Sequence, residues 1–455
     1  MDQELIAAVA TGRERAGVGI LRLSGQGARD CVGAVFAPAD GRPLGEHPPR
    51  RLVYGTLRDR EGRVLDKALA TWSPQGGSYT GEETAEVQCH GSPMVLALGL
   101  EALFAQGARQ AGPGEFTRRA FLNGKLDLLE AEAVIDLIDA ETPAAARQAA
   151  GQLSGVLSRR CQSIYDGLVD VMAHFHAVLD YPDEDLDPFT AETLSAALEK
   201  SEGELSALLA TYHRGRVLTR GVPTAIVGRP NVGKSSLLNA LVGYERAIVT
   251  EVAGTTRDTV EERCVLGGVL LRLIDTAGLR ETGDRVEQMG VERSRAAMEE
   301  AGLILCVLDR SVTATPEDLA LLREANRLAP AVLIWNKSDL ADAPQPPLGV
   351  DLPTVTVSAQ RMEGLEELGE LVRSLSPQAK AGEEGELLTN ARQAEAVSRA
   401  LDCVRRAREA LDLGVTPDAL LTDVEAALAA LGELTGRTVR ADVTDRIFQR
   451  FCVGK

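Results

Sequence analysis

The residues with the clearest chemical signal lie between positions 228 and 235, in a short glycine-containing segment. Gly233 would let successive backbone N–H groups close around phosphate oxygens at the start of a helix. Lys234 would pair with the outer phosphates, and the hydroxyl of Ser235 would bind magnesium. Apolar runs precede and follow the segment. The spacing therefore predicts a phosphate-binding loop between a buried strand and a helix, as in nucleoside triphosphatases.

Two carboxylates follow apolar runs further along the chain, and both suit a nucleotide site. Asp275 follows residues 271–274 and can reach the metal, while the N–H of Gly278 can meet the terminal phosphate. Asp339 follows Asn336 at the end of another apolar run, where a carboxylate can accept both N–H donors of a guanine edge. Adenine lacks the exocyclic amine, and an unmet charged acceptor costs roughly 1–3 kcal/mol, so the sequence predicts GTP.

The segment from Thr250 to Asp258 resembles the first switch of translation-factor-related GTPases, and that resemblance assigns Thr256 to the magnesium shell with Ser235. Leu279 stands where related GTPases place a water-orienting Gln, and an apolar side chain cannot orient water. Another group must therefore supply part of a stabilisation worth roughly 10³–10⁵ in rate when an arginine finger delivers it.

Asn231 matches the pattern of GTPases that hold a potassium ion where the finger's charge would lie, with Thr250, Val252 and Thr255 as its partners. Glu287 would then act on the attacking water. A solvated carboxylate at a helix start is the alternative interpretation of Glu287. The predicted catalytic residues are Glu287, Asn231 and Thr256. The predicted nucleotide-binding residues, completed by resemblance to the GTPase superfamily, are Asn231, Val232, Gly233, Lys234, Ser235, Ser236, Thr250, Glu251, Val252, Ala253, Gly254, Thr255, Thr256, Asp275, Thr276, Ala277, Gly278, Asn336, Lys337, Asp339, Ser358, Ala359 and Gln360.

Composition limits the class of protein. A chain of 455 residues predicts about three domains. No window approaches the ~20 apolar residues of a membrane span, and the start has no basic segment, so we expect a cytoplasmic protein with no membrane partner. Seven cysteines without short paired spacings predict no zinc site and no disulfide framework. A net charge of −18 argues against a broad surface that binds nucleic acid through clustered cations.

The elements that must position these residues change character along the chain. Short alternating strands up to residue 120 predict an α+β domain, and a helical period over 121–214 predicts the first part of an all-α domain. An α/β P-loop GTPase domain is predicted over 215–378, and the helical period returns over 379–455. The simplest arrangement packs the two helical segments together with the GTPase inserted between them. An independent C-terminal helical domain is the competing arrangement.

The whole chain resembles the MnmE family, also called TrmE, of bacterial and organellar tRNA modification GTPases. The stretches that carry the resemblance outside the GTPase elements are residues 17–25, 79–83, 86–91, 113–127 and 451–455. The resemblance implies an N-terminal domain that is similar to tetrahydrofolate-binding folds and dimerises. The sequence departs from the family's usual run at residues 10–17, and Gln360 replaces a common basic residue.

The resemblance also implies an activity and partners. The family acts with a flavin-containing partner, MnmG (GidA), in a heterotetramer-type complex, and adds an aminomethyl-type (carboxymethylaminomethyl) group to the wobble uridine of certain tRNAs. The one-carbon unit comes from a tetrahydrofolate derivative in the 5-formyl or methylene form. By position, Arg22, Glu86, Lys125 and Lys455 correspond to folate-binding residues. Cations can pair with the glutamate carboxylates of folate, and a carboxylate can accept from the pterin donors.

Two other functions share part of this pattern. A ribosome-assembly GTPase would have every GTPase element but would give no reason for the folate-type residues or the Cys-Val-Gly-Lys end. A folate-dependent methyltransferase with a vestigial GTPase is the second alternative, and the intact Lys234, Ser235 and Asp275 argue against it.

Overall fold

The structure is a computed structural model that describes residues 4–12, 14–180, 191–244, 262–274, 295–376, 384–414, 417–438, 447–449 and 451–454. The chain divides into two compact units. The first comprises residues 1–135 and 429–455, and the second comprises residues 136–428.

The first unit is built on a seven-stranded sheet. Its strands are β1 (Ile6–Val9), β2 (Ala16–Ser24), β3 (Phe36–Pro38), β4 (Val53–Arg58), β5 (Val64–Ser73), β6 (Thr84–Gly91) and β7 (Arg109–Gln110). They lie in the order β3-β4-β5-β6-β2-β1-β7, and each neighbouring pair is antiparallel except β1 and β7. Alternate residues of β2, such as Leu21 and Leu23, are buried in one core with α1 (Ala28–Val35) and α2 (Pro93–Ala105). A short 3₁₀ turn covers Leu44–Glu46.

The end of the chain completes the first unit. Helix α3 (Glu115–Leu122) follows β7, and α4 (Leu128–Ile138) begins shortly after it. Phe448 and Phe451 pack together, with ring centroids 5.5 Å apart, in a small core that includes Ala131 of α4. Val453 bridges to Pro113, and Gly454 lies against the backbone of Val9. The last described residue therefore lies beside the first strand.

The second unit begins with helices. After the end of α4 come α5 (Pro143–Leu153), α6 (Val156–Asp180), α7 (Ala191–Leu209) and α8 (Tyr212–Arg220). Thr142 caps α5 by accepting from the N–H of Ala145, with Pro143 at the first helical position. Helix α8 ends at Gly221, which has a positive φ of 81° and leads directly into the next sheet.

The six strands of the second sheet carry the predicted nucleotide motifs. They are β8 (Val222–Val227), β9 (Glu262–Leu266), β10 (Val269–Leu273), β11 (Leu303–Asp309), β12 (Ala331–Asn336) and β13 (Thr354–Thr356). Their order is β13-β12-β11-β8-β10-β9, and only the β9–β10 pair is antiparallel. Helices α9 (Lys234–Tyr244) and α11 (Leu365–Leu375) share a core with one face, and α10 (Pro316–Leu328) with the other. Strands buried on both faces explain the continuous apolar runs in the sequence.

The chain then returns to the helices. Asn390 caps α12 (Ala391–Asp412) by accepting from the N–H of Gln393, as its sequence position predicts. Helix α12 packs along α7, where Glu202 pairs with Arg405 and Arg408. Helix α13 follows and covers Pro417–Thr435.

The segment that enters α12 is fastened to the earlier helices by side chains of α5. Gln148 and Gln152 both donate to the carbonyl of Leu387, at 3.2 Å and 2.6 Å, and Gln148 also accepts from the N–H of Gly385. Thr211 accepts from the N–H of Leu388 at 3.0 Å. Helices that precede the GTPase elements in the sequence thus pack against the segment and the helix that follow those elements.

This architecture confirms the predicted fold class: an α+β N-terminal domain, an all-α domain from two segments, and an inserted α/β P-loop domain. The predicted borders at 120, 214 and 378 stay predictions. The seven cysteines all lie in described residues, where none forms a disulfide; Cys452 is exposed and the other six are buried. In the described ranges, no helix combines the length and the apolar character that crossing a membrane requires.

Candidate functional site

The predicted phosphate loop lies between the end of β8 and the start of α9. Gly233 has a φ of 98°, and a Cβ there would collide with the amide nitrogen of Asn336, so only glycine fits. Asn231 also has a positive φ, 65°, which is uncommon outside glycine and is found at strained functional loops. The sequence pattern and the left-handed backbone at Asn231 and Gly233 therefore agree on a tight loop before α9.

Lys234 is held by the loop itself. Its Nζ donates to the carbonyls of Gly228 and Arg229, both at 2.8 Å. Burial lowers the pKa of Lys234, because the protein around it replaces water that would solvate the charge. No acidic side chain lies within ion-pair distance of Lys234 in the described residues. The two carbonyls orient the ammonium without cancelling its charge, which suits a group that must bind phosphate.

The hydroxyl side chains that would meet the metal are at the start of α9. Ser235 and Ser236 lie in the first helical turn, next to the positive end of the helix. Val232, one residue before Gly233, is buried and anchors the loop in the core. The arrangement fits a magnesium ion held by Ser235 beside a bound triphosphate.

Asn336 connects the phosphate loop to the predicted base pocket. It is 2% exposed at the end of β12. Its amide nitrogen donates to the carbonyl of Val232 at 2.9 Å, and its amide oxygen accepts from the N–H of Ala359 at 3.1 Å. One buried side chain thus fixes the spacing of two loops that are more than 100 residues apart in the sequence.

Asp339 lies where a guanine edge would be recognised. One carboxylate oxygen accepts from the hydroxyl of Ser358 at 2.7 Å, and that hydrogen bond lowers the pKa of Asp339 below its usual value. Gln360 follows in the same loop and is exposed. An ionised carboxylate that is oriented by Ser358 can accept both N–H groups of guanine. The structure therefore brings together the predicted residues of the phosphate loop and the base pocket.

Two carboxylates that the sequence reasoning missed hold the phosphate loop from outside. Asp318 is 1% exposed; one of its oxygens accepts from Arg229 Nε at 2.8 Å, and the other accepts from the N–H and hydroxyl of Thr315. The Thr-Pro-Glu-Asp spacing can be recognised in the sequence as a helix cap for α10. The second partner of Asp318, Arg229 in the phosphate loop, cannot be recognised from spacing.

Asp309, at the end of β11, repeats this pattern. One oxygen accepts from the N–H and hydroxyl of Ser311, and the other accepts from Lys337 Nζ at 2.6 Å. Lys337 also donates to the carbonyl of Asn231 at 2.9 Å. Burial raises the pKa of Asp309, but the hydrogen bonds from Lys337 and Ser311 outweigh burial and leave it below its usual value. Each carboxylate therefore uses one oxygen to fix the backbone next to it in the sequence. It uses the other oxygen to hold a cation of the nucleotide site.

Part of the predicted site lies outside the described residues. These positions are Thr250, Glu251, Val252, Ala253, Gly254, Thr255, Thr256, Asp275, Thr276, Ala277, Gly278, Glu287 and Lys455.

The predicted folate residues of the first unit lie on its sheet and on the loops beside it. Arg22 and Glu86 are cross-strand partners on β2 and β6, and Arg22 Nε donates to Glu86 at 2.7 Å. Their side chains are 26% and 25% exposed, and the guanidinium carbon of Arg22 lies 6.0 Å from the ring centre of Phe116. The pair thus places a donor and an acceptor side by side on the sheet, which fits the edge of a pterin, while the ring of Phe116 is buried beneath Arg22 in the core.

Lys125 contacts a loop of the same unit. Its Nζ donates to the carbonyl of Gly76 at 2.8 Å, in the loop that joins β5 to β6. That loop also carries Tyr79, whose hydroxyl is 3.0 Å from the hydroxyl of Thr117. Burial raises the pKa of Tyr79, while Thr117 and the nearby charge of Arg22 oppose the rise. Tyr79 therefore lies within electrostatic reach of Arg22 on a loop that Lys125 touches.

Comparisons with known proteins cover the whole chain. A family model described as MnmE helical domain matches residues 128–452, and one described as GTP-binding protein TrmE N-terminus matches residues 5–125. The protein named tRNA modification GTPase MnmE from Heliobacterium modesticaldum is 45% identical over 99% of this chain and 99% of its own length. The protein of that name from Symbiobacterium thermophilum is 44% identical over the full length of both chains.

Among solved structures, a variant of Era from Aquifex aeolicus bound to GDP.AlF4- shares 26% sequence identity with this chain. The match covers 40% of this chain and 65% of Era, with a TM-score of 0.25, which is too low to support an argument.

Proposed function

Because this chain belongs to the MnmE family of tRNA modification GTPases, we propose that it hydrolyses GTP in the modification of the wobble uridine of certain tRNAs. The observation that carries the proposal is the hydrogen-bonded connection that Asn336 makes between the phosphate loop and the base pocket. Asn336 holds both loops through one amide group; Lys234 and Ser235 directly follow Gly233 in the first loop, and Asp339 accepts a hydrogen bond from Ser358 of the second. A chain with a vestigial nucleotide site would have no reason to keep this geometry.

The proposed hydrolysis uses a potassium ion in place of an arginine finger. Asn231, held in the phosphate loop by Lys337, supports this part of the proposal, with Thr250, Val252 and Thr255 as the other potassium ligands. Thr256 and Ser235 would bind magnesium, and Glu287 would orient the attacking water. When bound, potassium supplies the positive charge that stabilises the transferring phosphoryl group.

The first unit is proposed to bind a tetrahydrofolate derivative that carries the one-carbon unit, in its 5-formyl or methylene form. Arg22 and Glu86 would receive the pterin, and Lys125 and Lys455 would pair with carboxylates. The position of Gly454 beside Val9 supports a contribution from the chain end. The protein would act in the cytoplasm as a homodimer, together with a flavin-containing partner of the MnmG type, and the product would be an aminomethyl-type uridine.

The deciding experiment is mass spectrometry of wobble nucleosides from cells that lack this gene. We expect the modified uridine to disappear and to return with the wild-type gene but not with Lys234→Ala. Arg58→Gln, which removes an exposed charge outside both sites, is the matched control and should restore it. If the wobble nucleosides stay unchanged in the deletion strain, the tRNA assignment is wrong while the GTPase assignment stands.

A second measurement tests the potassium step in purified protein. GTP turnover should be faster in potassium than in sodium at equal ionic strength, and Glu287→Ala should lower the turnover in potassium. Equal rates with the two cations would exclude potassium from the mechanism.

A further inference from the structure

The loop between β5 and β6 in the first unit is touched by two cations on consecutive carbonyls. Lys125 Nζ donates to the carbonyl of Gly76, and Arg50 Nη2 donates to the carbonyl of Gly77, both at 2.8 Å. Carbonyls of adjacent residues lie only a few ångströms apart, so the two positive groups are within roughly 10 Å of each other. Arg50 is not among the residues that the sequence pattern indicates.

Neither charge is cancelled by the part of the protein that the structure describes. Lys125 and Arg50 are both exposed, and among the described residues neither has an acidic side chain within ion-pair distance. By contrast, two cations of the same unit are ion-paired: Arg22 with Glu86, and Arg119 with Glu82. In a chain with a net charge of −18, two neighbouring cations that contact only neutral carbonyls keep a local positive potential that attracts anions.

The local backbone holds Arg50 in place. Its φ is 61°, a left-handed conformation that costs a non-glycine residue roughly 1 kcal/mol, and its N–H donates to the carbonyl of Trp72 at 2.7 Å. Gly77 leaves the space that the guanidinium occupies, because a Cβ there would collide with Arg50 Nη2. Strained positions of this kind concentrate at binding sites.

The loop itself is closed and anchored. The N–H of Gly76 donates to the carbonyl of Gly81 at 2.9 Å, and Asn123 donates to the carbonyl of Thr80 at 2.7 Å. The same loop carries Tyr79, which is within reach of Arg22. The two cations therefore contact one part of a fixed loop, and another part of the same loop, Tyr79, lies near Arg22.

We propose that Lys125 and Arg50 form an anion subsite for the glutamate tail of folate, in which Arg50 binds the carboxylates of additional γ-linked glutamates. The inference rests on the proposed folate binding and adds that the preferred ligand is an oligoglutamate. Lys125 acts as a point charge for the first glutamate. The planar guanidinium of Arg50 can bind a carboxylate through two parallel hydrogen bonds, and each further glutamate adds a charge for it.

The test measures equilibrium binding of 5-formyltetrahydrofolate to the full-length protein by calorimetry, as the monoglutamate and as the triglutamate. Wild type should bind the triglutamate about 3- to 10-fold more tightly than the monoglutamate. Arg50→Gln should remove most of that difference and change monoglutamate binding less than about 2-fold. Lys125→Gln should weaken both ligands.

Arg58→Gln is the matched control. Arg58 is also exposed and also donates to a glycine carbonyl, that of Gly62 at 2.9 Å, but no second cation contacts the next carbonyl of that turn in the described residues. The Arg58→Gln variant should bind the monoglutamate and the triglutamate with the same affinities as wild type. Thermal unfolding of each variant checks that the fold is intact.

The outcomes separate the inference from the function it rests on. If wild type binds the monoglutamate and Lys125→Gln weakens it, but Arg50→Gln binds both tail lengths like wild type, the subsite is wrong and folate binding stands. If neither folate binds wild type, or Lys125→Gln and Arg22→Gln bind the monoglutamate as wild type does, the proposed folate site itself fails and the inference falls with it.

Discussion

The phosphate loop of the second unit and the Gly76–Gly81 loop of the first unit both combine glycines with cations, but they use the cations differently. Beside the phosphate loop, Arg229 pairs with Asp318 and Lys337 pairs with Asp309, and only Lys234 rests on carbonyls alone among the described cations there. Beside the Gly76–Gly81 loop, both contacting cations rest on carbonyls. Lys234, the cation that the sequence predicts to bind phosphate, is therefore the one that lacks a carboxylate partner in the described structure.

The difference has a simple electrostatic cause. A carboxylate neutralises a cation and fixes it, so an ion-paired cation serves to position what surrounds it. A carbonyl dipole orients the cation but leaves its net charge available to a ligand. In these two loops, the partner of a cation, more than its exposure, separates the cations that position the loop from those that are proposed to bind a ligand.

The largest expected effect comes from a glycine substitution in the phosphate loop. Gly233→Ala places a Cβ against the amide of Asn336 at a φ of 98°, and we expect GTP affinity to fall by about 100-fold. Gly81→Ala is the matching change in the other loop. There the nearest groups are side-chain atoms of Asn123 and Lys125, at 3.1 and 3.4 Å, so folate binding should fall less. Equal losses in the two loops would contradict the greater rigidity of the phosphate loop.

The next effect tests positioning by Asp309. Asp309→Asn removes the charge that holds Lys337, and a charge-assisted hydrogen bond is worth roughly 1.5–3 kcal/mol, so GTP affinity should fall by about 30-fold. Because the chemical groups stay in place, the Michaelis constant should rise more than the turnover number falls. Asp342→Asn is the control: it breaks the exposed pair with Arg310 in the neighbouring connection and should leave the Michaelis constant unchanged.

A double-mutant cycle measures the interaction between Arg229 and Asp318. Arg229→Gln should weaken GTP binding by about 10-fold, because the segment whose carbonyls hold Lys234 loses its contact with Asp318. Asp318→Asn alone also disturbs the cap of α10, so only the cycle isolates the pair. Additive effects of Arg229→Gln and Asp318→Asn on GTP affinity would show that the pair does not position the loop.

The smallest effect concerns acid stability of the first unit. Glu115 loses solvation on burial, but hydrogen bonds from Arg109 and Arg119 and the N–H of Gly112 lower its pKa to about 2. Because the folded pKa is depressed, the pairs stabilise the fold above about pH 4.5, and this stabilisation is lost as the pH falls towards 2. Solvent screens Arg109, so we expect about 1 kcal/mol.

Glu115→Gln should therefore lower the free energy of unfolding at pH 7 and lose its difference from wild type near pH 2, as measured by denaturant titration. Asp30→Asn is the control, because Asp30 is an exposed carboxylate paired with Arg29 in the same unit. A difference between wild type and Glu115→Gln that persists at the lowest pH would assign the effect to packing instead of charge.

Much of the fold and the nucleotide site followed from the sequence because their signals are local. The phosphate loop is read from spacing, the cap at Asn390 from residue type, and the buried strands from continuous apolar runs. Contacts between distant segments were not readable. Asp318 is 89 residues from Arg229 along the chain, and no short-range pattern connects them. Arg50 was missed for the same reason, since its contact with Gly77 depends on a left-handed backbone that its residue type does not favour.

The sequence alone determined which chemical groups are present and which elements carry them: a glycine-containing phosphate loop, a guanine-type carboxylate at Asp339, and strands and helices in a fixed order. Only the tertiary structure decided which cations keep their charge for a ligand. That choice depends on whether a carboxylate lies within hydrogen-bond distance, and the distance is set by how the sheets and loops pack. Composition cannot give this distance, because the same residue type has two uses. Arg229 lies beside Asp318 and positions a loop, whereas Arg50 lies beside Gly77 and offers the proposed anion site.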